Sequence, residues 1–264
     1  MARLTVEGVS LAYDEAGSGA PPLLFVHGWG GNRSNFAPQM AHFAQGHRVV
    51  ALDRRGHGES DAPEQDYTVA GAGDELASLC RDLGLAPTVV VQHSFDRLGF
   101  DFAARYPEHV LALCILDGPT LAGPQFEEAG HQFLQGLESD HWEAAVRGYA
   151  EQMLFAPGTP EQVKDQAIRE VLATPRHVLA SAWKEFLRYP TEAALVDVRC
   201  PLLYVGGVFP ADLDRLRGLC SQLEVAEVRG RGHFIMLSAA DEVNRLIDAF
   251  VERLPAPVAW TQYR

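Results

Sequence analysis

Short, almost continuously apolar runs recur along the chain and are separated by segments with helical spacing. Five of these runs are strand-like: residues 22–28, 49–53, 88–94, 111–117 and 201–207. Strands that are apolar on both faces are typical of a parallel sheet covered by helices on both sides. Between the third and fourth runs, Leu98, Phe102 and Ala103 follow helical spacing up to Pro107, which predicts a crossover helix. The pattern therefore predicts an α/β fold with a mostly parallel central sheet and helices on both faces.

The stretch from about residue 118 to 196 breaks this alternation and has helical patterning throughout. Capping residues precede apolar positions spaced by threes and fours, which predicts about three helices inserted after the fourth strand. Because their apolar face needs a partner, we expect them to cover the sheet as a lid. The predicted organisation is a core of residues 1–117 and 197–254, a lid of residues 118–196, and a loosely attached extension of residues 255–264.

Composition and charge restrict the class of protein and of ligand. A chain of 264 residues with 47% hydrophobic and 22% charged residues is expected to form one substantial globular domain. Its 22 basic and 35 acidic side chains give a formal charge of −13, which repels nucleic acid and anionic lipid. No run approaches the ~20 apolar residues of a membrane span, and the N-terminus reads as a strand. We expect a cytoplasmic protein with a small, mainly apolar ligand, no membrane or nucleic-acid partner, and an undetermined oligomeric state.

Three segments carry candidate chemistry, and a fourth, the glycine-rich turn of residues 51–63 with its polar groups, is interpreted as a structural loop. A glycine-rich loop, residues 27–36, follows the first predicted strand and presents the amide of Trp29, which is suited to stabilise an oxyanion. Ser94 lies between a buried strand and a helix, where it serves either as a raised nucleophile or as a simple helix cap. His233 follows a glycine-rich turn late in the chain, and it is either a general base or a core histidine.

In this order, the motifs resemble those of the α/β-hydrolase superfamily over about residues 3–254. The matching features are the H-G-W-G-G loop, the D-R-R-G-H-G-x-S turn, the serine between strand and helix, the helical insertion and the G-x-G-H-F loop. The resemblance implies an α/β-hydrolase fold. It also implies that Ser94 is the nucleophile, His233 is the general base, and the amides of Trp29 and Phe95 form the oxyanion hole, with neither cofactor nor metal.

The segment around the serine departs from the pattern of this superfamily. The usual sequence is G-x-S-x-G, since small residues two positions before and after the serine let strand and helix crowd together. Here these positions hold Gln92 and Asp96. We expect the turn to relax or to tilt these side chains into the neighbouring space. A carboxylate at position 96 near Ser94 or His233 disfavours ordinary ester chemistry.

The acid that orients the histidine is a second departure. Many members place it just after the strand that corresponds to residues 201–207, where this chain has Val208. Asp117, at the end of the preceding strand, and Asp212 are the alternatives. We favour Asp117 because Asp212 has the position of a helix cap. In a third interpretation, neither of them orients His233.

The favoured function is a serine hydrolase that acts through an acyl-enzyme on a small, largely apolar ester, lactone or thioester. The alternatives are a lyase or a cofactor-independent dioxygenase that uses a His/Asp base, or a ligand-binding protein with a vestigial or engineered site. The residues expected to line the substrate pocket are His27, Gln92, Asp96, Trp142 and Trp183.

Overall fold

The computed structural model describes residues 1–254, apart from the side chain of Asp96. Within these residues, eight strands form one sheet in the order β1-β2-β4-β3-β5-β6-β7-β8. The strands are β1 (Ala2–Val6), β2 (Val9–Ala16), β3 (Leu23–Val26), β4 (Val49–Leu52), β5 (Thr88–His93), β6 (Val110–Leu116), β7 (Leu202–Gly206) and β8 (Leu223–Glu227). β2 pairs antiparallel with β1 and β4, and all other pairs are parallel. The predicted mostly parallel sheet is therefore confirmed.

Helices lie on both sides of the sheet and in a long segment between β6 and β7. They are α1 (Ala37–Phe43), α2 (Val69–Leu83), α3 (Asp96–Arg105), α4 (Pro124–Glu138), α5 (Trp142–Tyr149), α6 (Glu161–Ala173), α7 (Arg176–Arg188), α8 (Thr191–Asp197), α9 (Leu213–Leu219), α10 (Ile235–Ser238) and α11 (Ala240–Val251). A π-helical turn, Ala150–Leu154, continues α5. No helix within the described part of the chain is long and apolar enough to cross a membrane.

Both faces of the central strands are buried, which explains their continuous apolar runs. In β3, Leu23 and Phe25 pack in a cluster that includes residues of α1 and α11. The alternate residues Leu24 and Val26 pack in a second cluster with residues of α2 and α3. Since successive side chains of a strand point to opposite faces, each face needs its own apolar set.

The segment between β6 and β7 contains more helices than its pattern predicts. About three helices are expected, whereas five, α4 to α8, lie within residues 118–198. The sequence signal is weak at α8, which has only seven residues. The predicted extension, residues 255–264, lies outside the described residues.

Candidate active site

Three predicted site residues lie in loops at the carboxyl edge of the parallel strands. Ser94 directly follows β5, Asp117 directly follows β6, and His233 lies between β8 and α10. Because neighbouring parallel strands end at the same edge, such loops converge there. His233 Nδ1 lies 2.7 Å from Asp117 Oδ2, and Ser94 and His233 line one cavity.

The backbone of Ser94 adopts the sharp turn that the motif requires. Its φ is +61°, in the left-handed region that non-glycine residues seldom occupy. Its amide donates to the carbonyl of Leu116 at 2.9 Å, which fastens the turn to the neighbouring strand. A Cβ atom at Gly28 would lie 2.8 Å from the Cβ of Ser94. The glycine-rich loop after β3 therefore passes too close to Ser94 for any larger residue at position 28.

Asp117 is fully buried, and protein donors satisfy its carboxylate. Oδ1 accepts the amides of Gly207 at 2.7 Å and Phe209 at 3.1 Å, while Oδ2 accepts the imidazole N–H of His233. The carboxylate thus reaches the loop after β7 from the adjacent strand, which explains how Val208 can stand where the superfamily often has its acid. Asp212 instead caps α9, where its Oδ1 accepts the amide of Arg215 at 3.0 Å.

His233 is held in place on two sides. Its backbone amide donates to the carbonyl of Leu154 at 2.7 Å, and its ring contacts Phe209 with centroids 4.5 Å apart. In the neutral ring, the proton on Nδ1 is directed at Asp117, so Nε2 carries the free lone pair. This tautomer is the one that accepts a proton from a serine hydroxyl.

The amides of Trp29 and Phe95 are free to stabilise negative charge. Neither N–H donates to another group among the residues whose side chains the structure describes. The indole N–H of Trp29 donates to the carbonyl of Leu179 at 2.9 Å, which anchors the loop to α7. An oxyanion hole uses two backbone donors of this kind, and both residues line the cavity that holds Ser94 and His233.

The cavity at this site is small and mostly aromatic. The space open to the centre of a water molecule is about 30 Å³, enough for about one or two waters. Helices between β6 and β7 supply the residues Phe126, Tyr149, Leu154, Val171, Trp183 and Phe186 to its wall. The segment between β6 and β7 therefore supplies much of the wall around Ser94 and His233.

Three of the predicted pocket residues do not line this cavity, whereas Trp183 does. Trp142 is half-buried and packs against an apolar cluster that includes Leu137 of α4 and Val146 of α5. The His27 ring donates to the carbonyl of Gly28 at 2.8 Å and accepts the Arg54 amide at 3.0 Å. Burial holds the pKa of His27 well below its usual range, so the ring is neutral.

Gln92 also points away from the cavity. Because side chains alternate along β5, Gln92 lies on the face covered by α3, and its Cβ is 3.5 Å from the position that a Cβ on Gly99 would occupy. Its amide donates to the carbonyls of His27 at 3.3 Å and His93 at 3.0 Å. Its Oε1 is buried without a partner among the described residues, which costs ~1–3 kcal/mol. The side chain of Asp96, the remaining pocket prediction, lies outside the described residues.

His93 is a site residue that the sequence analysis missed. Its Nε2 donates to the carbonyl of His233 at 3.1 Å, and the two ring centroids are 4.3 Å apart. Burial and the neighbouring His233 hold the pKa of His93 well below its usual range. A neutral His93 thus fixes the backbone of the candidate base, and its place next to Ser94 is the only signal for this in the sequence.

Several known proteins with similar sequences or folds are hydrolases. The chain is 28% identical over 268 residues to 2-(acetamidomethylene)succinate hydrolase of Mesorhizobium japonicum, across 95% of this chain and 94% of that protein. It is 30% identical over 285 residues to haloalkane dehalogenase of Sphingobium indicum, across 95% of each. A thermophilic esterase from Thermogutta terrifontis superposes with a TM-score of 0.85 at 21% identity, across 97% of this chain and 100% of the esterase.

A family model agrees with both the fold and these relatives. The model of the alpha/beta hydrolase fold matches residues 21–240. This span runs from the start of β3 to the start of α11, and it includes every residue of the site described above. The chain therefore belongs to the alpha/beta hydrolase family and is itself a hydrolase.

Proposed function

We propose that this hydrolase cleaves small, largely apolar carboxylic esters, lactones or thioesters through an acyl-enzyme on Ser94. The observation that carries the proposal is the His233 imidazole, which is bonded to a fully buried carboxylate and lines the same cavity as a serine on a left-handed turn. A neutral serine is a poor nucleophile until a base removes its proton, and Asp117 keeps the base in the required tautomer.

In the first half of the reaction, Ser94 Oγ attacks the carbonyl carbon of the ester and His233 Nε2 takes the hydroxyl proton. The carbonyl oxygen becomes an oxyanion, which the amides of Trp29 and Phe95 stabilise. The tetrahedral intermediate then expels the alcohol or thiol. His233 returns its proton to this leaving group, and the acyl group stays on Ser94.

In the second half, a water molecule replaces the alcohol. His233 takes a proton from this water while the water oxygen attacks the acyl carbon. The amides of Trp29 and Phe95 stabilise the second oxyanion. When the intermediate collapses, the proton passes to Ser94 Oγ and the acid is released. These steps balance with water as the only co-reactant.

A serine at position 94 favours acyl substrates over alkyl halides, although one relative is a dehalogenase. Displacement of a halide by a serine oxygen would leave an alkyl ether, which water does not cleave under mild conditions. Attack on an acyl carbon leaves an ester, which the same base and oxyanion hole can hydrolyse.

The walls of the cavity indicate the substrate class. Its aromatic side chains suit apolar acyl groups, and its small volume in this closed form excludes bulky ones. We further propose that α4 to α8 act as the predicted lid, because their side chains close the cavity and must move to admit the ester.

The decisive experiment combines turnover with covalent labelling. Short-chain and medium-chain 4-nitrophenyl esters measure turnover, and a fluorophosphonate probe followed by mass spectrometry identifies the labelled residue. We expect both activities in the native protein and neither in Ser94→Ala, with turnover at least ~1,000-fold lower. His233→Ala should show the same loss.

The other functions give distinct results. Turnover that survives Ser94→Ala but not His233→Ala would show that the histidine acts as a base without a serine nucleophile. Binding of a hydrophobic ligand without labelling or turnover would show a binding protein. Either result contradicts the proposal.

A further inference from the structure

A second cavity lies on the other side of Phe95 from the catalytic cavity. Its volume is about 110 Å³, and it lies between the loop after β4, the start of α2, and α7. Arg54, Arg55, His57 and Glu75 are among its walls. The proposed catalytic steps use none of these four side chains.

Arg54 is a buried cation that lines this cavity. Its side chain forms no ion pair with any carboxylate that the structure describes, although only 6% of the residue is exposed. Nη2 donates to the carbonyl of Gly28 at 3.0 Å, and the guanidinium carbon lies 5.3 Å from the ring centroid of Phe95. Nε has no hydrogen-bond partner in the described part of the chain. Burial lowers the pKa of Arg54 to about 10, so it is still charged at neutral pH.

Glu75 is near enough to Arg54 to favour its charge, but its ion pair is with Arg55. Arg55 forms an ion pair with Glu75, which leaves no net charge on that pair when Glu75 is ionised. His57 Nδ1 donates to the carbonyl of Arg55 at 2.9 Å, and burial lowers the pKa of His57 to about 3, so the ring is neutral. The acidic residues at the rim, Glu7 and Asp66, are exposed and screened by solvent. The floor of the cavity therefore carries one positive charge.

A buried charge is unfavourable unless an opposite charge accompanies it. The guanidinium presents planar N–H donors that match the two oxygens of a carboxylate, and a single cation suits a single negative charge. We propose that this cavity binds a small carboxylate and that Arg54 holds it.

The carboxylate can come from two sources. It can be a group of the substrate itself, which would extend past Phe95 while its ester lies at Ser94. It can also be a separate molecule, such as an acid product. The first source rests on the proposed function, whereas binding of a free carboxylate does not.

Binding is tested with acetate and propionate by saturation-transfer NMR, at constant ionic strength set with sodium chloride. Acetamide, which has the same shape but no charge, is the control ligand. We expect acetate to bind, acetamide not to bind, and Arg54→Met to weaken acetate binding at least ~10-fold, since a charge-assisted hydrogen bond is lost. Arg229→Met, at an exposed arginine paired with Glu227, is the control variant and should leave acetate binding unchanged.

Glu75→Gln keeps the proposal testable if Arg54→Met does not fold. It removes the buried carboxylate of the cavity and leaves Arg54 in place, so we expect acetate to bind at least ~2-fold more tightly. Unchanged or weaker acetate binding in Glu75→Gln would overturn the proposal. So would equal binding of acetate and acetamide, or equal acetate binding by Arg54→Met and the native protein.

Two esters of similar size distinguish the sources. Monoethyl glutarate carries a distal carboxylate and ethyl valerate does not, and a pH-stat follows the hydrolysis of both. A ratio of their KM values that changes ~10-fold in Arg54→Met supports a carboxylate on the substrate. Acetate that alters the turnover of ethyl valerate without competing with it, in an Arg54-dependent manner, supports a separate carboxylate. If neither ester is hydrolysed but acetate still binds, the proposed function fails and this proposal stands.

Discussion

The two cavities on either side of Phe95 differ in how far the protein itself satisfies the buried charged group of each. In the cavity that Ser94 and His233 line, the buried carboxylate of Asp117 accepts three hydrogen bonds, one of them from His233. In the second cavity, the buried guanidinium of Arg54 has one hydrogen bond and no ion pair among the described residues. Phe95 therefore lies between a carboxylate that protein donors satisfy and a guanidinium that forms no ion pair with the described residues.

This difference indicates whether a buried charge positions other protein groups or binds a ligand. A buried ion that the protein itself satisfies has no need of a ligand, and it fixes the groups bonded to it. A buried ion that the protein leaves unpaired favours any ligand of opposite charge that fits. The first arrangement therefore suits catalysis, and the second suits recognition.

Removing the paired charge should have the largest effect. Asp117→Asn keeps the shape, but its amide can donate to Nδ1 of His233 and so stabilise the wrong tautomer. We expect kcat for 4-nitrophenyl butyrate to fall ~1,000- to 10,000-fold, while circular dichroism remains native. Asp212→Asn is the control, because asparagine caps a helix as well as aspartate does. Equal losses in the two variants would contradict the assignment of Asp117.

The second cavity should affect stability as a function of pH. His57 has a pKa of about 3 in the folded protein and 6.5 as its ordinary value. As the pH falls from 6.5 towards 3, the unfolded chain takes up a proton that the folded protein does not, so the free energy of unfolding decreases. Each such histidine contributes ~1.4 kcal/mol per pH unit in this window.

Glu75 has the opposite effect on the free energy of unfolding, which it increases as the pH falls from 7 to 4.5. Burial raises its pKa from 4.5 to about 7, so the folded protein holds a proton there between pH 7 and 4.5 that the unfolded chain lacks. The native profile contains both effects, and His57→Gln should remove only the first. Urea unfolding at pH 7, 6 and 5 measures the profile, and His131→Gln, at an exposed histidine, is the control. An unchanged profile in His57→Gln would show that this ring does not remain neutral.

The fold could be predicted from the sequence because its main signal is local. Strands buried on both faces need apolar residues at every position, and five of the strands were found in this way. β8 (Leu223–Glu227) was not, since this edge strand is half exposed and has no continuous apolar run. Motif order indicates Ser94 and His233, and the cap position of Asp212 favours Asp117 as the acid; the structure places all three at one edge of the sheet.

The shape of the pocket depends on information that no local pattern holds. Gln92 faces α3 because of strand alternation, and Trp142 faces its neighbouring helices because of how α5 is rotated. The sequence does not distinguish Arg54 from the other 21 basic residues, and only the fold shows that it is buried and forms no ion pair among the described residues.

Substitutions in the turn around Ser94 are expected to increase the catalytic rate. Gln92→Gly with Asp96→Gly restores small residues on both sides of the serine, and it removes a buried carbonyl oxygen and a negative charge. We expect kcat/KM for short-chain esters to rise at least ~10-fold, which is about 1.4 kcal/mol of barrier. The two single variants show which position matters. No gain in any of the three would show that these side chains do not limit catalysis.

The smallest expected effect concerns the wall itself. The Phe95 ring stacks on Phe186 with centroids 4.8 Å apart and contacts the Arg54 guanidinium. Phe95→Leu replaces this ring with a smaller side chain, so the wall between the two cavities becomes thinner while the backbone amide stays. We expect KM for monoethyl glutarate to fall ~3-fold relative to that for ethyl valerate, at a cost of about 1 kcal/mol in stability. Phe250→Leu, in α11, should cost similar stability without changing this ratio. If both variants leave the ratio unchanged, the carboxylate does not reach Arg54 past Phe95, and a separate molecule must supply it.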